Sequence, residues 1–456
     1  MAPSQSTHHR LLDEADSVYF LLFPGWEHEL RGNRWHFAVR WARQKPVVLV
    51  IPALKGGPPE TVPEPRIPNC RILRIQSVGE PYQMAKDTQI QLGQILTDMS
   101  EQHFERPLLW CYNWKLAGPF GRLPAIARLL HATEAYFDMP GLSPLLPRLR
   151  AAVAITDLTV AVSDGVAASI RSRIDGADIV TVTNGCDYRL YSEGKADEFL
   201  AASRGMYSRI AIYAGNINGR LDFDLLRRLA SDNPDVLFAV YGPVSSLTEK
   251  DASAWKGLLS QTNVMTPGPV DPDRLPDLYA AADVGIIPYR SDQWLVDNGL
   301  PLKALEMCAT GLPVVSSLMK PLLGMADGLV VTSSTDEFLA AFAKTSRANL
   351  SAASLAELKA VSSANDYDVK FEQIVKALDE HVKEPQVTTR VDRLIDALGP
   401  EWFSGEVRLA RWVAMRLPAR AVGWSISAVA RYVPAPLKRR FGSTRSREAM
   451  RELRGD

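Results

Sequence analysis

Residues 263–290 read NVMTPGPVDPDRLPDLYAAADVGIIPYR, and residues 298–315 read NGLPLKALEMCATGLPVV. Short apolar runs alternate here with segments of helical periodicity. The runs are Asn263–Thr266, Val284–Pro288 and Pro313–Ser316, and the helical segments are Asp273–Ala282 and Leu302–Cys308. Strands that alternate with helices of this length indicate βαβ crossovers in a parallel sheet. The stretch therefore predicts an α/β fold.

The same alternation extends over most of the chain. Further predicted strands are Val18–Phe23, Val47–Ile51, Arg71–Ile75, Leu108–Tyr112, Leu158–Val162, Ile179–Val182, Arg209–Ala214, Val236–Tyr241 and Leu329–Thr332, and further helices are Trp35–Gln44, Lys86–His103 and Phe223–Asp232. The strands fall into two sets, one on each side of the polar stretch Asp187–Ser208. We therefore predict two doubly wound, Rossmann-like domains.

The domain boundaries follow from these patterns. We place the first domain at residues 1–190, the second at 191–365, a return helix at 366–383 and a basic helical tail at 384–456. The proline-rich piece Pro52–Pro68 is expected to be an irregular surface loop, because proline supplies no N–H to a sheet.

Composition excludes several classes of protein. The chain has 456 residues and a net charge of zero, which gives no indication of a nucleic-acid partner. The four cysteines lack the spacing of a zinc site or a disulfide framework, and the N-terminus lacks the pattern of a signal peptide. No apolar run is long enough for a membrane span. We expect a cytoplasmic protein.

Two segments are candidates for binding an anionic ligand. The first, Tyr213–Arg220, reads YAGNINGR and follows a predicted strand, so its glycines could let the backbone approach a phosphate. A plain βα turn would explain the same glycines. The second begins at Asn298 and places Lys303 and Glu306 in the first turns of a helix. A lysine there opposes the helix dipole, which an anionic ligand would explain, although a surface Lys–Glu pair is the alternative.

These motifs resemble the nucleotide-sugar-binding half of GT-B glycosyltransferases. That family typically shows LP-x-x-Y-x-x-x-DV-x-x-x-P followed by P-x-K-x-x-E-x-x-A-x-G-x-PVV. Val182–Asp187 resembles the family's interdomain motif PNGVD, and Asp157–Ser163 resembles another of its strands. The resemblance covers roughly residues 16–383 and implies two Rossmann-like domains that face a cleft.

The resemblance also implies roles for single residues. Lys303 would neutralise the donor's diphosphate, and Glu306 would bind the ribose hydroxyls. Gly215, Asn216 and Arg220 would lie against the pyrophosphate. Backbone around Gly268 would hold the base. In many retaining members a glutamate contacts the donor sugar eight residues before the ribose glutamate, and here that position is Asn298.

On the acceptor side, Leu130–Asp138 resembles the family's acidic segment after a strand. We predict Glu134 as the base that deprotonates the acceptor hydroxyl, supported by His131 and Asp138. The alternatives are a half-buried structural histidine and a carboxylate that simply favours a helix start.

We expect no cofactor and no metal, with a UDP-sugar rather than a GDP-sugar as co-substrate. Asp222 and Asp224 imitate a DxD metal motif, but they stand where a helix begins, so capping explains them better.

The tail carries most of the chain's charge asymmetry. Residues 386–456 have a net charge of +7, and tryptophans such as Trp412 and Trp424 lie among the arginines of two helical patterns at 406–417 and 419–433. Such helices suit an anionic membrane surface, whereas packing on the protein's own body is the alternative.

Together these observations predict a hexosyl- or glycuronosyltransferase of bacterial exopolysaccharide biosynthesis. It would act on a glycan or lipid-linked glycan, at the inner face of the cell membrane. A nucleotide-sugar epimerase of the same architecture and a non-catalytic sugar-binding scaffold are the alternatives.

Overall fold

The computed structural model describes residues 9–53, 59–76, 84–139 and 141–398. The predicted tail helices at 406–417 and 419–433 lie outside these residues. Within them, no helix is long and apolar enough to cross a membrane.

The first sheet contains eight strands in the order β3-β4-β2-β1-β5-β6-β7-β8. They are β1 Ser17–Leu21, β2 Val47–Pro52, β3 Glu60–Pro63, β4 Cys70–Ile75, β5 Pro107–Cys111, β6 Ala127–Ala132, β7 Leu158–Ala161 and β8 Ile179–Thr181. All neighbours pair in parallel except β3, which pairs antiparallel with β4. The strand order reverses between β1 and β5, which is where ligands gather in open α/β sheets.

The second sheet contains six parallel strands in the order β11-β10-β9-β12-β13-β14. They are β9 Arg209–Ala214, β10 Val236–Tyr241, β11 Val264–Gly268, β12 Val284–Ile287, β13 Val314–Ser317 and β14 Leu329–Thr332. Its order reverses between β9 and β12. Two doubly wound domains are therefore present, as predicted.

Helices cover both faces of each sheet, and separate apolar clusters fill the space on either side. In the first domain they are α1 Arg10–Glu14, α2 Asn33–Ala42, α3 Met84–Glu101, α4 Ala117–Arg122, α5 Leu146–Ile155 and α6 Asp164–Arg171. In the second they are α7 Tyr188–Ser192, α8 Glu198–Ala202, α9 Phe223–Asp232, α10 Glu249–Leu259, α11 Leu275–Ala281, α12 Gln293–Asn298, α13 Leu302–Ala309, α14 Thr335–Lys344 and α15 Ala352–Ala364.

The chain then returns to the first domain. Helix α16, Tyr367–His381, packs on α1 and α2, and a short helix α17, Val391–Leu398, packs on α4 and α5. The fully buried Arg128 fixes this return, since its guanidinium donates to the carbonyls of Phe120, Leu123 and Thr388. The described start of the predicted tail thus packs on the protein's own body.

The expectation for Pro52–Pro68 is wrong in one respect. Residues Glu60–Pro63 form the edge strand β3 rather than loop. An edge strand tolerates proline, because one side of its backbone has no neighbour to bond.

Candidate donor and acceptor site

The site predicted to bind the donor begins with glycines at the carboxyl ends of β9 and β10. Gly215 and Gly242 have φ values of +149° and +141°, which side chains rarely adopt. A Cβ at Gly242 would lie 1.9 Å from the carbonyl oxygen of Gly215. The sequence analysis missed Gly242, although a Gly-Pro pair after the strand Val236–Tyr241 was a usable signal. Because these glycines have no side chains, the backbone at the ends of β9 and β10 is uncovered, next to the point between β9 and β12 where the strand order reverses.

Lys303 lies against this uncovered backbone at Gly215, and we call this part of the site the corner. Its Nζ lies 3.0 Å from the Tyr289 hydroxyl and 4.0 Å from the centroid of the Tyr213 ring. A Cβ at Gly215 would lie only 2.2 Å from the same Nζ. Among the described residues, no carboxylate lies within ion-pair distance of this ammonium. The Lys303 ammonium, held by the Tyr213 ring and the Tyr289 hydroxyl, therefore faces the backbone at the end of β9.

The two tyrosines around Lys303 respond differently to it. Burial raises the pKa of Tyr289, but the charge and hydrogen bond of Lys303, together with Tyr213 and Arg220, leave the pKa below its usual value. Burial raises the pKa of Tyr213, whose hydroxyl donates to the carbonyl of Asn216. Nothing in the sequence indicated that these two tyrosines contact Lys303, because an aromatic residue at the end of a strand is usually part of the hydrophobic core.

Glu306 lies one helical turn beyond Lys303 on α13. Burial raises its pKa to about 7, while the charge of Lys303 and a hydrogen bond with Tyr191 act in the opposite direction. The carboxyl group is therefore balanced between its neutral and ionised forms near neutral pH.

The remaining donor-side residues lie around this corner. Gly268 ends β11 with a φ of +89°, and its carbonyl accepts from Gly242 N–H. Asn216 is exposed in the loop after β9. Asp222 caps α9 through the Leu225 N–H at 2.9 Å, which confirms the capping interpretation. In the described part of the chain, no group of His, Cys, Asp and Glu side chains has the arrangement of a metal site.

Arg220 and Glu134 meet across the cleft between the two domains. Arg220 Nη2 lies 3.8 Å from Glu134 Oε1, and the guanidinium carbon lies 5.6 Å from the Trp294 ring centroid. Burial raises the pKa of Glu134, and the charge of Arg220 partly opposes that rise. The structure thus brings the predicted base and a predicted phosphate ligand together.

The other two predicted acceptor-side groups differ in their exposure to solvent. His131 is completely buried within β6, its ring stacked on Tyr112, and burial lowers its pKa to about 3. A neutral ring sealed in the core cannot contact an acceptor, so the structural alternative for His131 describes it better. Asp138 is exposed and lies 3.5 Å from Arg173.

Asn298 ends α12 and faces the first domain. Its Nδ2 donates to the carbonyl of Trp294, and a Cβ on Gly165 would lie 2.2 Å from its Oδ1. The Asn298 side chain, at the position where the resemblance would place a glutamate, is therefore pressed against the start of α6.

A chain of hydrogen-bonded polar side chains joins the two domains. The Tyr112 hydroxyl donates to Asn33, the Asn33 amide donates to Asn184, and the Asn184 amide donates to the carbonyl of Leu300. Asn184 belongs to the stretch that resembles the family's interdomain motif. The chain fixes the loop before α13 relative to the first domain.

Comparison with known proteins confirms the fold. Residues 219–347 match the family described as glycosyl transferases group 1. A 137-residue stretch, 30% of this chain, is 34% identical to a putative teichuronic acid biosynthesis glycosyltransferase, TuaH, of Bacillus subtilis and spans 34% of that protein's length. The match thus covers about a third of the relative.

Solved structures match over both domains. Sucrose-phosphate synthase from Thermosynechococcus elongatus has a TM-score of 0.61 at 14% identity, over 80% of this chain and 98% of that one. An Escherichia coli trehalose-6-phosphate protein bound with UDP-2-fluoro glucose has a TM-score of 0.60 at 12% identity, over 82% and 100%. Anabaena HepE in complex with UDP-glucose has a TM-score of 0.58 at 15% identity, over 80% and 99%. The two-domain GT-B fold is shared with these proteins.

The raised pKa of Glu306 predicts a pH-dependent stability. Between its ordinary value of 4.5 and about 7, the folded chain holds a proton that the unfolded chain releases. Raising the pH from 5 to 8 should therefore lower the free energy of unfolding of the wild type by about 1–3 kcal/mol relative to Glu306→Gln. Urea unfolding at both pH values measures this difference.

Glu249→Gln, which removes an exposed carboxylate of α10, is the matched control and should follow the wild type. Equal pH slopes for the wild type and Glu306→Gln would show that Glu306 ionises normally.

Proposed function

We propose that the chain is a glycosyltransferase that moves a sugar from a nucleotide diphosphate donor, a UDP-sugar, to an acceptor hydroxyl. The observation that carries this proposal is Lys303, a cation without a carboxylate partner among the described residues, held against bare backbone at Gly215. The negative charge of a diphosphate would pair with the Lys303 ammonium, which has no carboxylate partner among the described residues. Anabaena HepE, which shares the fold, is known in complex with UDP-glucose.

The donor would lie along the carboxyl ends of the second sheet. Lys303 and Arg220 would contact its two phosphates, and the backbone at Gly215 would approach them closely. Glu306 in its ionised form would accept hydrogen bonds from the ribose hydroxyls. Backbone at Gly268 would border the base.

The reaction itself needs a stabilised leaving group and a base. As the bond between the anomeric carbon and the phosphate oxygen breaks, Lys303 and Arg220 would stabilise the charge that develops on the departing nucleoside diphosphate. Glu134 would take the proton of the acceptor hydroxyl, whose oxygen forms the new glycosidic bond. Burial raises the pKa of Glu134, which makes it a stronger base than an exposed carboxylate. No step requires a metal or another cofactor.

For the acceptor, we propose a lipid-linked glycan of bacterial polysaccharide synthesis, met at the cytoplasmic face of the membrane. Two observations support this: the similarity to a putative teichuronic acid biosynthesis enzyme, and the net charge of +7 in residues 386–456. Basic segments attract anionic lipids by about 1 kcal/mol per Lys or Arg near the surface. The transferred sugar would be a hexose or a hexuronic acid.

Removal of the Lys303 charge tests the donor site. Lys303→Ala should weaken UDP binding by about 1.5–3 kcal/mol, because one charge-assisted contact to phosphate is lost. Titration calorimetry at pH 8, where the terminal phosphate is ionised, measures the change. Lys256→Ala, which removes an exposed lysine of α10, should bind UDP like the wild type. Affinity of Lys303→Ala within twofold of the wild type would refute the assigned role.

A second variant tests the base. Glu134→Gln should lower turnover by about 10²–10⁴-fold, measured as UDP release from the best donor of a panel of UDP-hexoses and UDP-hexuronic acids. Its UDP affinity should stay within about fivefold of the wild type. Asp138→Asn, a change at an exposed carboxylate of the same segment, should retain activity. If Asp138→Asn is inactive while Glu134→Gln turns over, Glu134 is not the base.

A further inference from the structure

Arg220 occupies an unusual place between the two domains. It follows β9 in the second domain, and its side chain is about half exposed, at 51%. Its only carboxylate neighbour within ion-pair distance, among the described residues, is Glu134 of the first domain at 3.8 Å. At that distance the pair is loose, and a pair this exposed is worth little in stability. The guanidinium is therefore free to exchange Glu134 for a stronger anion.

The Trp294 ring lies beside the Arg220 guanidinium. Trp294 belongs to α12, which begins after Asp292, whose side chain accepts from the Leu295 N–H at 2.8 Å. Although it is part of the second domain, the ring packs against the apolar core of the first domain. At the other end of α12, Asn298 presses on Gly165. The indole is therefore packed on the first domain while it lies within cation–π distance of the Arg220 guanidinium.

We propose that Trp294 is a positioning residue, whose indole holds Arg220 at a point from which the guanidinium contacts either Glu134 or the donor's diphosphate, so that base and donor compete for one cation. This inference rests on the proposed function and deepens it. Donor binding draws Arg220 away from Glu134 and leaves the carboxylate without its cationic neighbour. The base is then strengthened only when a donor is in place, since Arg220 opposes the burial that raises the pKa of Glu134.

Competition for one cation has a measurable consequence for binding. If Glu134 holds Arg220 in the unliganded protein, Glu134→Gln should tighten UDP binding by about two- to fivefold, because the diphosphate no longer competes with the carboxylate. Loss of the aromatic surface in Trp294→Leu should weaken UDP binding by about two- to fivefold. In the double variant, the gain from Glu134→Gln should fall below about 1.5-fold, since Arg220 is no longer held within reach of position 134.

Conservative and control variants separate positioning from packing. Trp294→Phe keeps an aromatic face and should preserve both the UDP affinity and the gain from Glu134→Gln. Trp255→Leu removes another tryptophan of the second domain, whose ring packs on Phe223, whereas the Arg220 guanidinium lies over Trp294, and this variant should leave UDP binding unchanged. Arg220→Gln should weaken UDP binding and abolish any effect of Glu134→Gln. Thermal unfolding of every variant identifies those that fail to fold, in which case Trp294→Phe and Arg220→Gln carry the test.

Titration calorimetry with UDP at pH 8 across this set decides the inference. A gain from Glu134→Gln that disappears in the Trp294→Leu background supports it. Weaker or unchanged UDP binding in Glu134→Gln, or an equal gain with and without Trp294, overturns it and leaves the proposed function standing. A wild-type chain that binds no UDP overturns both. UDP binding with the expected coupling, but without sugar transfer from any donor, supports the shared cation and rejects the proposed transferase activity.

Discussion

The proposed donor site depends on the close approach of the Lys303 ammonium to the backbone of Gly215. Any side chain at position 215 would occupy the space that the ammonium fills, and any side chain at position 242 would collide with Gly215 itself. The lysine also stands in the first turn of α13, where the helix dipole opposes its charge. Two tyrosines hold the cation in this unfavourable position without neutralising it. An anion bound at this point would offset both the repulsion from the helix dipole and the lack of a neutralising partner for Lys303.

The position of α13 is in turn set by the first domain. The polar chain from Tyr112 through Asn33 and Asn184 ends on the carbonyl of Leu300, two residues before α13 begins. Only the last of these bonds, from the Asn184 amide to the Leu300 carbonyl, crosses between the domains, so it forms only when the domains are in register. The return of α16 and α17 to the first domain adds a covalent tie, fixed by Arg128. The groups proposed to bind the donor and the acceptor are thereby held on opposite walls of one cleft.

Much of this architecture could be predicted from the sequence, and the failures have physical causes. The α13 segment was predictable, since Pro301, the apolar spacing and Gly311 define its start, face and end. Long-range relations were not: apolar spacing cannot show that His131 points into the core, or that Trp294 packs on the other domain. The strand β3 was missed because proline outweighs weak strand signals at a sheet edge.

The contribution of the tyrosines was hidden for a related reason. Tyr213 and Tyr289 stand at the ends of two strands that are distant in sequence, and only the reversal of strand order brings them together around one lysine. Lys303 itself was recognisable, because its charge conflicts with its place in the helix. Lys303 was thus predictable because its charge opposes the dipole of its own helix, whereas the tyrosines that surround it were visible only in the structure.

The central claim is that this corner binds a diphosphate. A crystal structure of the full chain with UDP tests it most directly. The account predicts phosphate oxygens within hydrogen-bond distance of Lys303 Nζ, above the Gly215 backbone, with Arg220 turned from Glu134 toward them. UDP bound elsewhere, with Lys303 still resting on Tyr289 and Tyr213 and no phosphate near Gly215, would contradict it.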